Sequence, residues 1–324
     1  MKQVALIGLG KQMQSELIPA VLLCADLCTV TALCDIDQIK LDQTSKLFPA
    51  ARTFINYHTL IDTSPVDVVI VCVPHYLHFP IVSYANSHGI SSFKEKPFAL
   101  NLAQAKQLKT LYKQTGVSVY TVTKRRFFQS YITGKRHLKE LGSLYRYAAR
   151  HFLSSGSLQE GWRSNPKEAG GGVLFDLGYH LVDTLRDYFG MPHRLWMLKS
   201  NKGLPGFCYT VEDSASLLVS HPNEIHGSFQ VGCYAGVKEE SLEIVGSLGY
   251  MKIEKERVHL RIKNGENAMF TFPTDDIAAN AEALRAFFQD GKEFIRRNVL
   301  DHYDNMRILD AAYHSEKIGI WSQL

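Results

Sequence analysis

Residues 66–73 read VDVVIVCV. A run this apolar and this rich in β-branched residues keeps almost no polar face for water. It fits a central strand covered on both sides, the situation of a parallel sheet rather than of a half-exposed antiparallel one. Parallel neighbours need crossover connections long enough to hold a helix. The flanking sequence supplies them. Strands are expected at 3–8, 30–34, 89–93 and 117–122, with helices at 12–23, 36–46, 80–87 and 102–114. Pro19 is expected to kink the first helix, because proline lacks the N–H that the helix interior uses.

The pattern changes near residue 123. Apolar and polar residues alternate with period two at 195–198, 209–219, 224–233, 240–245, 250–254 and 257–262. Such alternation over consecutive stretches predicts a mostly antiparallel sheet with one covered face. Helical segments are expected near 128–140, 173–188, 276–297 and 301–317. The fold class is therefore α/β. A parallel-sheet, nucleotide-type domain spans 1–122. An α+β domain with a large, mostly antiparallel open sheet spans 123–324, and its C-terminal helix is expected to pack back on the first domain. A chain of 324 residues is long enough for two such cores.

Composition narrows the partners. The net charge is +4, and the longest basic run is KRR at 124–126, too weak and dispersed to hold nucleic acid or an anionic membrane. No stretch approaches the length of a membrane span. The N-terminal MKQVALIGLG has too short an apolar run for a signal peptide. The six cysteines are scattered, mostly in apolar runs where thiols behave as small hydrophobes, so a reducing, cytoplasmic setting is expected. Cys24 and Cys28 have a metal-like spacing, but no matching Cys/His pair follows, and no metal is expected.

Three local patterns carry chemistry. Gly8-Leu9-Gly10 follows a strand and opens a helix. The first glycine permits a tight turn, and the second lets a pyrophosphate approach the backbone and the helix N-terminus. Met13 stands where the usual third glycine would be, which predicts wider helix packing. Asp35 ends the second strand, 25 residues after Gly10. A carboxylate there accepts from both adenosine ribose hydroxyls and repels a 2′-phosphate, which favours NAD, with NADP as the alternative. Its bland reading is a helix cap, a role that Asp37 is placed to take instead. Gly8, Gly10, Lys11, Gln12 and Asp35 are thus candidate cofactor contacts. Pro74 and His78, after the central strand, join them because such folds bind ligands at the C-terminal ends of the strands.

The second pattern is SSFKEKPFAL at 91–100, and the third is GGGVLFDLGYHLVDTL at 170–185. In the third, Leu174, Leu177, Leu181 and Leu185 form an apolar stripe, and Asp176 and His180 stack one turn apart beside it. A carboxylate four residues from a histidine can orient the imidazole and hold its tautomer. A chance Asp–His pair on a surface helix is the competing reading. An enzyme that oxidises an alcohol with a nicotinamide needs a base for the hydroxyl proton and a cation for the developing alkoxide. His180 and Lys96 supply those two types.

Together these residues resemble the glucose–fructose oxidoreductase / inositol dehydrogenase (Gfo/Idh/MocA) family over essentially the whole chain. The carriers are Gly8-Leu9-Gly10 with Ile18-Pro19-Ala20, Asp35, Val73-Pro74 with His78, Glu95-Lys96-Pro97 and Arg125-Arg126-Phe127. Downstream they continue with Trp162-Arg163, Gly170-Gly171-Gly172 with Asp176, Gly178 and His180, Val211-Glu212-Asp213, and Gly246-Ser247-Leu248-Gly249. The resemblance implies a Rossmann domain, bound NAD or NADP, and a second domain whose open sheet makes homodimer or homotetramer contacts. It implies Lys96 as the catalytic lysine, with Asp176 and His180 as the paired catalytic residues. Glu95 is expected to anchor the turn or touch the nicotinamide ribose, and Lys94 to be solvated. Arg126, Arg163 and Tyr179 are candidate substrate contacts, Arg163 with a structural ion pair as its rival role. The expected activity is hydride transfer between the nicotinamide and a carbon bearing a hydroxyl or keto group of a sugar, polyol or sugar derivative. The rivals are an NAD-dependent glycosidase-type hydrolase on the same fold and a non-catalytic dinucleotide-sensing regulator.

Overall fold

The VDVVIVCV run lies in the middle of a parallel sheet. In a computed structural model, which describes residues 1–154, 156–289 and 291–324, six strands make that sheet. They are β1 (Lys2–Ile7), β2 (Cys28–Cys34), β3 (Arg52–Phe54), β4 (Val68–Val71), β5 (Ser91–Lys94) and β6 (Val119–Thr121). Their order is β3-β2-β1-β4-β5-β6, and every pairing is parallel. All four residues of β4 are buried, as a strand covered on both faces requires. Ala5, Ile7, Val69 and Val71 pack with Ile81 and Ala85 of a covering helix.

Two helices differ from the sequence expectation. The helix after β4 runs His75–Ser87 and carries Pro80 inside it. It begins five residues before the expected start at Pro80, directly after Pro74. The helix after β1 contains a π-turn over Met13–Leu17, continued by an α-segment, Ile18–Leu22, with Pro19 in its first turn. Met13 is fully buried and stands at the start of this π-turn. A larger residue than glycine therefore coincides with a locally widened helix.

The chain divides into two compact units, residues 1–124 with 275–303 and residues 125–274 with 304–324. The observed division thus falls two residues after the expected one, and 275–303 belongs with the first unit. The helix expected at 276–297 is observed as Asp276–Gln289, followed by Lys292–Ile318; Asp290 lies outside the described residues.

The second unit holds a nine-stranded sheet. Its strands are β7 (Leu144–Phe152), β8 (Arg194–Ser200), β9 (Ser214–Ser220), β10 (His226–Gly232), β11 (Glu239–Gly246), β12 (Gly249–Glu254), β13 (Arg257–Ile262), β14 (Ala268–Thr271) and β15 (Ser322–Gln323). The order is β14-β13-β12-β11-β7-β10-β9-β8-β15. Among the described residues of this sheet, only the β7/β10 pairing is parallel. Along β7, Tyr147, Ala149 and His151 are buried on one face while Arg146 and Arg150 on the other are exposed; Tyr145, at the strand's start, is exposed although it shares the buried face. The strand expected from Tyr209 begins only at Ser214, because Glu212 is drawn toward a helix terminus described below.

Candidate active site

The glycine turn is shaped by what lies against it. Gly8 has φ +85°, and a Cβ there would stand 2.3 Å from the Cys72 carbonyl oxygen. Conformation and space both demand glycine. Gly10 is the opposite case, with no atom within 4 Å of where a Cβ would be. That side of the turn is open, as close approach of a pyrophosphate requires. Lys11 is exposed and Gln12 half-buried. Gln14, which the sequence reading missed, donates from Nε2 to the Leu9 carbonyl at 3.4 Å and to Thr44 Oγ1 at 2.7 Å.

Asp35 is half-buried at the end of β2. Its Oδ2 accepts the Leu9 N–H at 2.6 Å and its Oδ1 the Asp37 N–H at 2.9 Å. The helix cap is Asp37, which accepts from Ile39 and Lys40. Asp35 therefore joins the glycine turn to the capping residue, and the cap itself is Asp37.

Strand β5 ends at Lys94, and a cis Lys96–Pro97 bond follows. Lys96 and Glu95 are half-buried. Glu95 Oε1 is shielded from solvent and has no hydrogen-bond partner among the described residues. Burial raises the Glu95 carboxyl, and the Lys96 and Lys124 charges oppose that shift. A shielded carboxylate oxygen that wants a donor, at the C-terminal end of a parallel strand, suits the hydroxyls of a nicotinamide ribose. The residues present thus fit a dinucleotide at both ends: Asp35 and the open Gly10 at one, Glu95 at the other.

Lys94 is not solvated. It is 0% exposed. In a sheet covered on both faces, a lysine at the strand end has no route to water, and it finds acceptors instead. Its Nζ donates to the Glu95 carbonyl at 3.0 Å, to the Pro97 carbonyl, and to His78 Nδ1 at 3.2 Å. Burial pulls its ammonium down to about 7, with Glu95 acting in the other direction. His78 is 1% exposed. Its Nε2 lies 2.9 Å from the Val73 carbonyl oxygen, which only accepts, so Nε2 carries the proton and Nδ1 accepts from Lys94. Burial, then the Lys94 charge, push this imidazole well below its usual range. Both ring nitrogens of His78 are therefore spent inside the protein. It holds the Val73–Pro74 turn, where the sequence led us to expect a cofactor contact.

Asp176 and His180 belong to the second unit, and Lys96 to the first. Asp176 ends the short helix Val173–Asp176, and His180 lies in the first turn of the helix Gly178–Phe189; Leu177 between them keeps helical dihedrals. The two residues are thus one turn apart, and both are half-buried. The N-terminus of the first helix is capped by Glu212, whose Oε1 accepts from Gly172 N at 2.9 Å, Leu174 N at 3.1 Å and Tyr313 Oη at 2.8 Å. Burial raises the Glu212 carboxyl and these donors oppose it. This explains the glycines: a Cβ on Gly172 would stand 2.0 Å from the Glu212 carbonyl oxygen. Arg163 packs over the Trp162 ring at 4.3 Å, and its Nε lies 3.6 Å from Asp176 Oδ2. It reaches the candidate catalytic carboxylate itself.

Two expected substrate contacts are otherwise engaged. Tyr179 is fully buried, because one residue of helix rotation from His180 turns it into the core. Arg126 makes a two-point pair with Asp183, Nε to Oδ2 at 2.8 Å and Nη2 to Oδ1 at 2.5 Å, and Asn305 steadies the same carboxylate at 2.7 Å. Its neighbour Arg125 pairs with Glu240 in the same two-point way, at 2.5 and 2.7 Å, with Tyr131 Oη on Glu240 at 2.6 Å. Arg125 also lies 3.2 Å from His151 Nδ1, and the His151 ring is centred 6.5 Å from that of His180. Among the described residues no cluster of His, Cys, Asp and Glu is arranged for a metal ion. None of the described helices is long and apolar enough to cross a membrane.

A parallel-sheet unit with an open glycine turn and an acid after β2, joined in sequence to a large open-sheet unit, defines a Rossmann-type dinucleotide-binding protein. Residues 2–123 match the model of an oxidoreductase family with an NAD-binding Rossmann fold, and residues 137–252 match the GFO/IDH/MocA C-terminal domain. The chain belongs to the Gfo/Idh/MocA family. It is 28% identical over 162 residues to an uncharacterized oxidoreductase of Schizosaccharomyces pombe, covering 49% of this chain and 43% of that protein. It is 24% identical over 273 residues to the scyllo-inositol 2-dehydrogenase (NADP(+)) of Bacillus subtilis, covering 79% and 77%. The first curated relatives are matched over about half their length, at 43%, 52% and 58%. An aldose-aldose oxidoreductase from Caulobacter crescentus shares the fold, with TM-score 0.85, 21% identity, and coverage of 100% of this chain and 99% of that one. So does a levoglucosan dehydrogenase solved with NADH and levoglucosan, with TM-score 0.85, 16% identity and 99% coverage of each chain.

Proposed function

We propose that this chain is an NAD-dependent dehydrogenase or reductase that transfers hydride between the nicotinamide and a carbinol or carbonyl carbon of a sugar, polyol or sugar derivative. The observation that carries the reading is Glu95 Oε1, shielded and without a hydrogen-bond partner among the described residues, next to Lys96 at the C-terminal end of β5. When bound, NAD supplies the hydride acceptor. Glu95 accepts from the ribose and Asp35 from the adenosine hydroxyls, and the carboxylate at Asp35 disfavours NADP. Lys96 donates to the reacting oxygen and favours its negative charge as it develops. His180 takes the hydroxyl proton during oxidation and returns it during reduction. Asp176 orients His180 or the substrate, and Arg163 holds Asp176 in place.

Support for a carbohydrate-like substrate comes from relatives whose names specify scyllo-inositol, and from a fold neighbour solved with levoglucosan. We place homo-oligomer contacts on the outer face of the nine-stranded sheet, where Leu198, Leu218 and Met269 are exposed. The testing experiment is fluorescence titration with NADH and NADPH, followed by a screen of sugars and polyols with NAD. Reduced nicotinamide should accumulate with substrate. Product formed with no net change in nicotinamide absorbance would favour the hydrolase instead. Failure to bind either dinucleotide would overturn the reading.

A further inference from the structure

We propose that Lys94 is a positioning residue that fixes the turn carrying Glu95 and Lys96 and ties it, through His78, to the Val73–Pro74 turn. The link to turnover rests on the role proposed above for Lys96. The physical tie stands on the geometry of the first unit alone.

Lys94 has three acceptors at its amine and no exposure to solvent. Two of them, the carbonyls of Glu95 and Pro97, flank Lys96 on either side in sequence. Both converge on one nitrogen, so the backbone that bears Lys96 is held at two points by a single donor group. Protonated, the Lys94 amine has three N–H donors, and three acceptors use all of them. The third acceptor, His78 Nδ1, belongs to the helix that starts at the end of the neighbouring strand β4. His78 in turn donates to Val73, the residue before Pro74. The chain of contacts therefore runs from the Val73 carbonyl through an imidazole and an amine to the carbonyls around Lys96. Strands β4 and β5 are parallel neighbours, and both turns lie at their C-terminal ends, where folds of this kind bind ligands.

A polar network enclosed in this way specifies one arrangement only while all its members are present. Methionine at 94 would keep the length and volume of the side chain but leave two carbonyls and an imidazole nitrogen without a donor. The turn around Lys96 would then adopt other arrangements to regain partners. Catalysis is sensitive to displacements of this size.

The experiment is hydrogen–deuterium exchange on the whole chain, comparing the wild type with Lys94→Met, together with turnover counted per NADH-binding site. Exchange should rise by about tenfold or more in peptides spanning 73–78 and 94–98, and change little elsewhere in the parallel sheet. Turnover per site should fall on the order of tenfold to a hundredfold, with the substrate KM little changed. An even rise in exchange across the domain, or no rise at 73–78, overturns the tie, and wild-type turnover per site overturns the positioning role. Should Lys94→Met not fold, Lys94→Gln, whose two N–H donors leave at least one of the three acceptors without a partner, should raise exchange at 73–78 or at 94–98, and no rise at either overturns the tie. If the wild type turns over no sugar or polyol, the dehydrogenase reading falls, and the exchange pattern alone decides whether Lys94 joins the two turns.

Discussion

The Asp35 carboxylate holds the glycine turn closed, its Oδ2 accepting the Leu9 N–H at 2.6 Å. The residue expected to read the adenosine ribose thus also supports the turn expected to meet the pyrophosphate. Asp35→Ala should weaken NADH binding about tenfold to a hundredfold, the scale of a lost charged hydrogen bond. NADPH binding should fall less, because the carboxylate no longer repels a 2′-phosphate. Fluorescence titration with both cofactors separates the two roles. Equal losses for both would leave Asp35 as a brace for the turn with no part in cofactor choice.

Lys96→Ala should lower kcat by roughly a hundredfold to a thousandfold, the usual cost of removing a donor from a developing oxyanion. His180→Asn should lower it by a similar or larger factor through loss of the proton acceptor. NADH binding should be nearly unchanged in both, because neither group is assigned to the dinucleotide. Steady-state kinetics beside NADH titration makes the check. Undiminished turnover in either variant removes that residue from the chemistry.

The sequence shows the parallel sheet clearly, because eight mostly β-branched residues in a row admit few other homes. It also separates Asp35 from Asp37: the second sits where a helix begins, and it is the cap. Lys94 could not be placed the same way. Within KEKP two lysines look alike, and what distinguishes them is tertiary, a histidine from another element and two carbonyls folded over one amine. One signal was available. A residue that closes a strand covered on both faces is enclosed whatever its charge. Tyr179 misled for a related reason: adjacency to His180 in sequence is about a hundred degrees of rotation on a helix, enough to change surface into core. Arg126 next to Arg125 reads as a basic entry to the second unit, but Asp183 and Glu240, which pair with them, lie 57 and 115 residues further on.

Two glycine-to-alanine substitutions should have opposite effects. At Gly172 the new Cβ would meet the Glu212 backbone at 2.0 and 2.6 Å, and backbone cannot swing aside. Overpacking of this kind costs about 1–3 kcal/mol or more, and here it would also displace the cap of the helix that carries Asp176. Gly172→Ala should therefore lower the melting temperature and the activity together. At Gly10 nothing stands within 4 Å. Gly10→Ala should leave the melting temperature intact while weakening NADH binding, because the methyl group enters the space kept for pyrophosphate. Thermal unfolding with NADH titration distinguishes them. An unchanged NADH affinity in Gly10→Ala would show that this open side of the turn is not the cofactor's.

Acid should destabilise the second unit through Glu240. Burial by itself would raise this carboxyl, but Arg125, His151 and Tyr131 outweigh it and hold it at about 2, below its ordinary 4.5. Between those two pH values the unfolded chain binds more protons than the folded one, so stability rises with pH. The contribution is fully present above about 4.5 and is lost as pH falls through about 2, on the order of 3 kcal/mol across the window. Glu240→Gln should flatten that part of the stability profile. It should also cost about 3–5 kcal/mol at neutral pH, because Arg125 would remain buried without its partner. Urea unfolding of the wild type and Glu240→Gln at pH values through the window measures both effects. A variant that keeps the wild-type acid slope would place the titrating group elsewhere. A variant as stable as the wild type at neutral pH would mean that the Arg125 cation is satisfied by His151 and its other neighbours without Glu240.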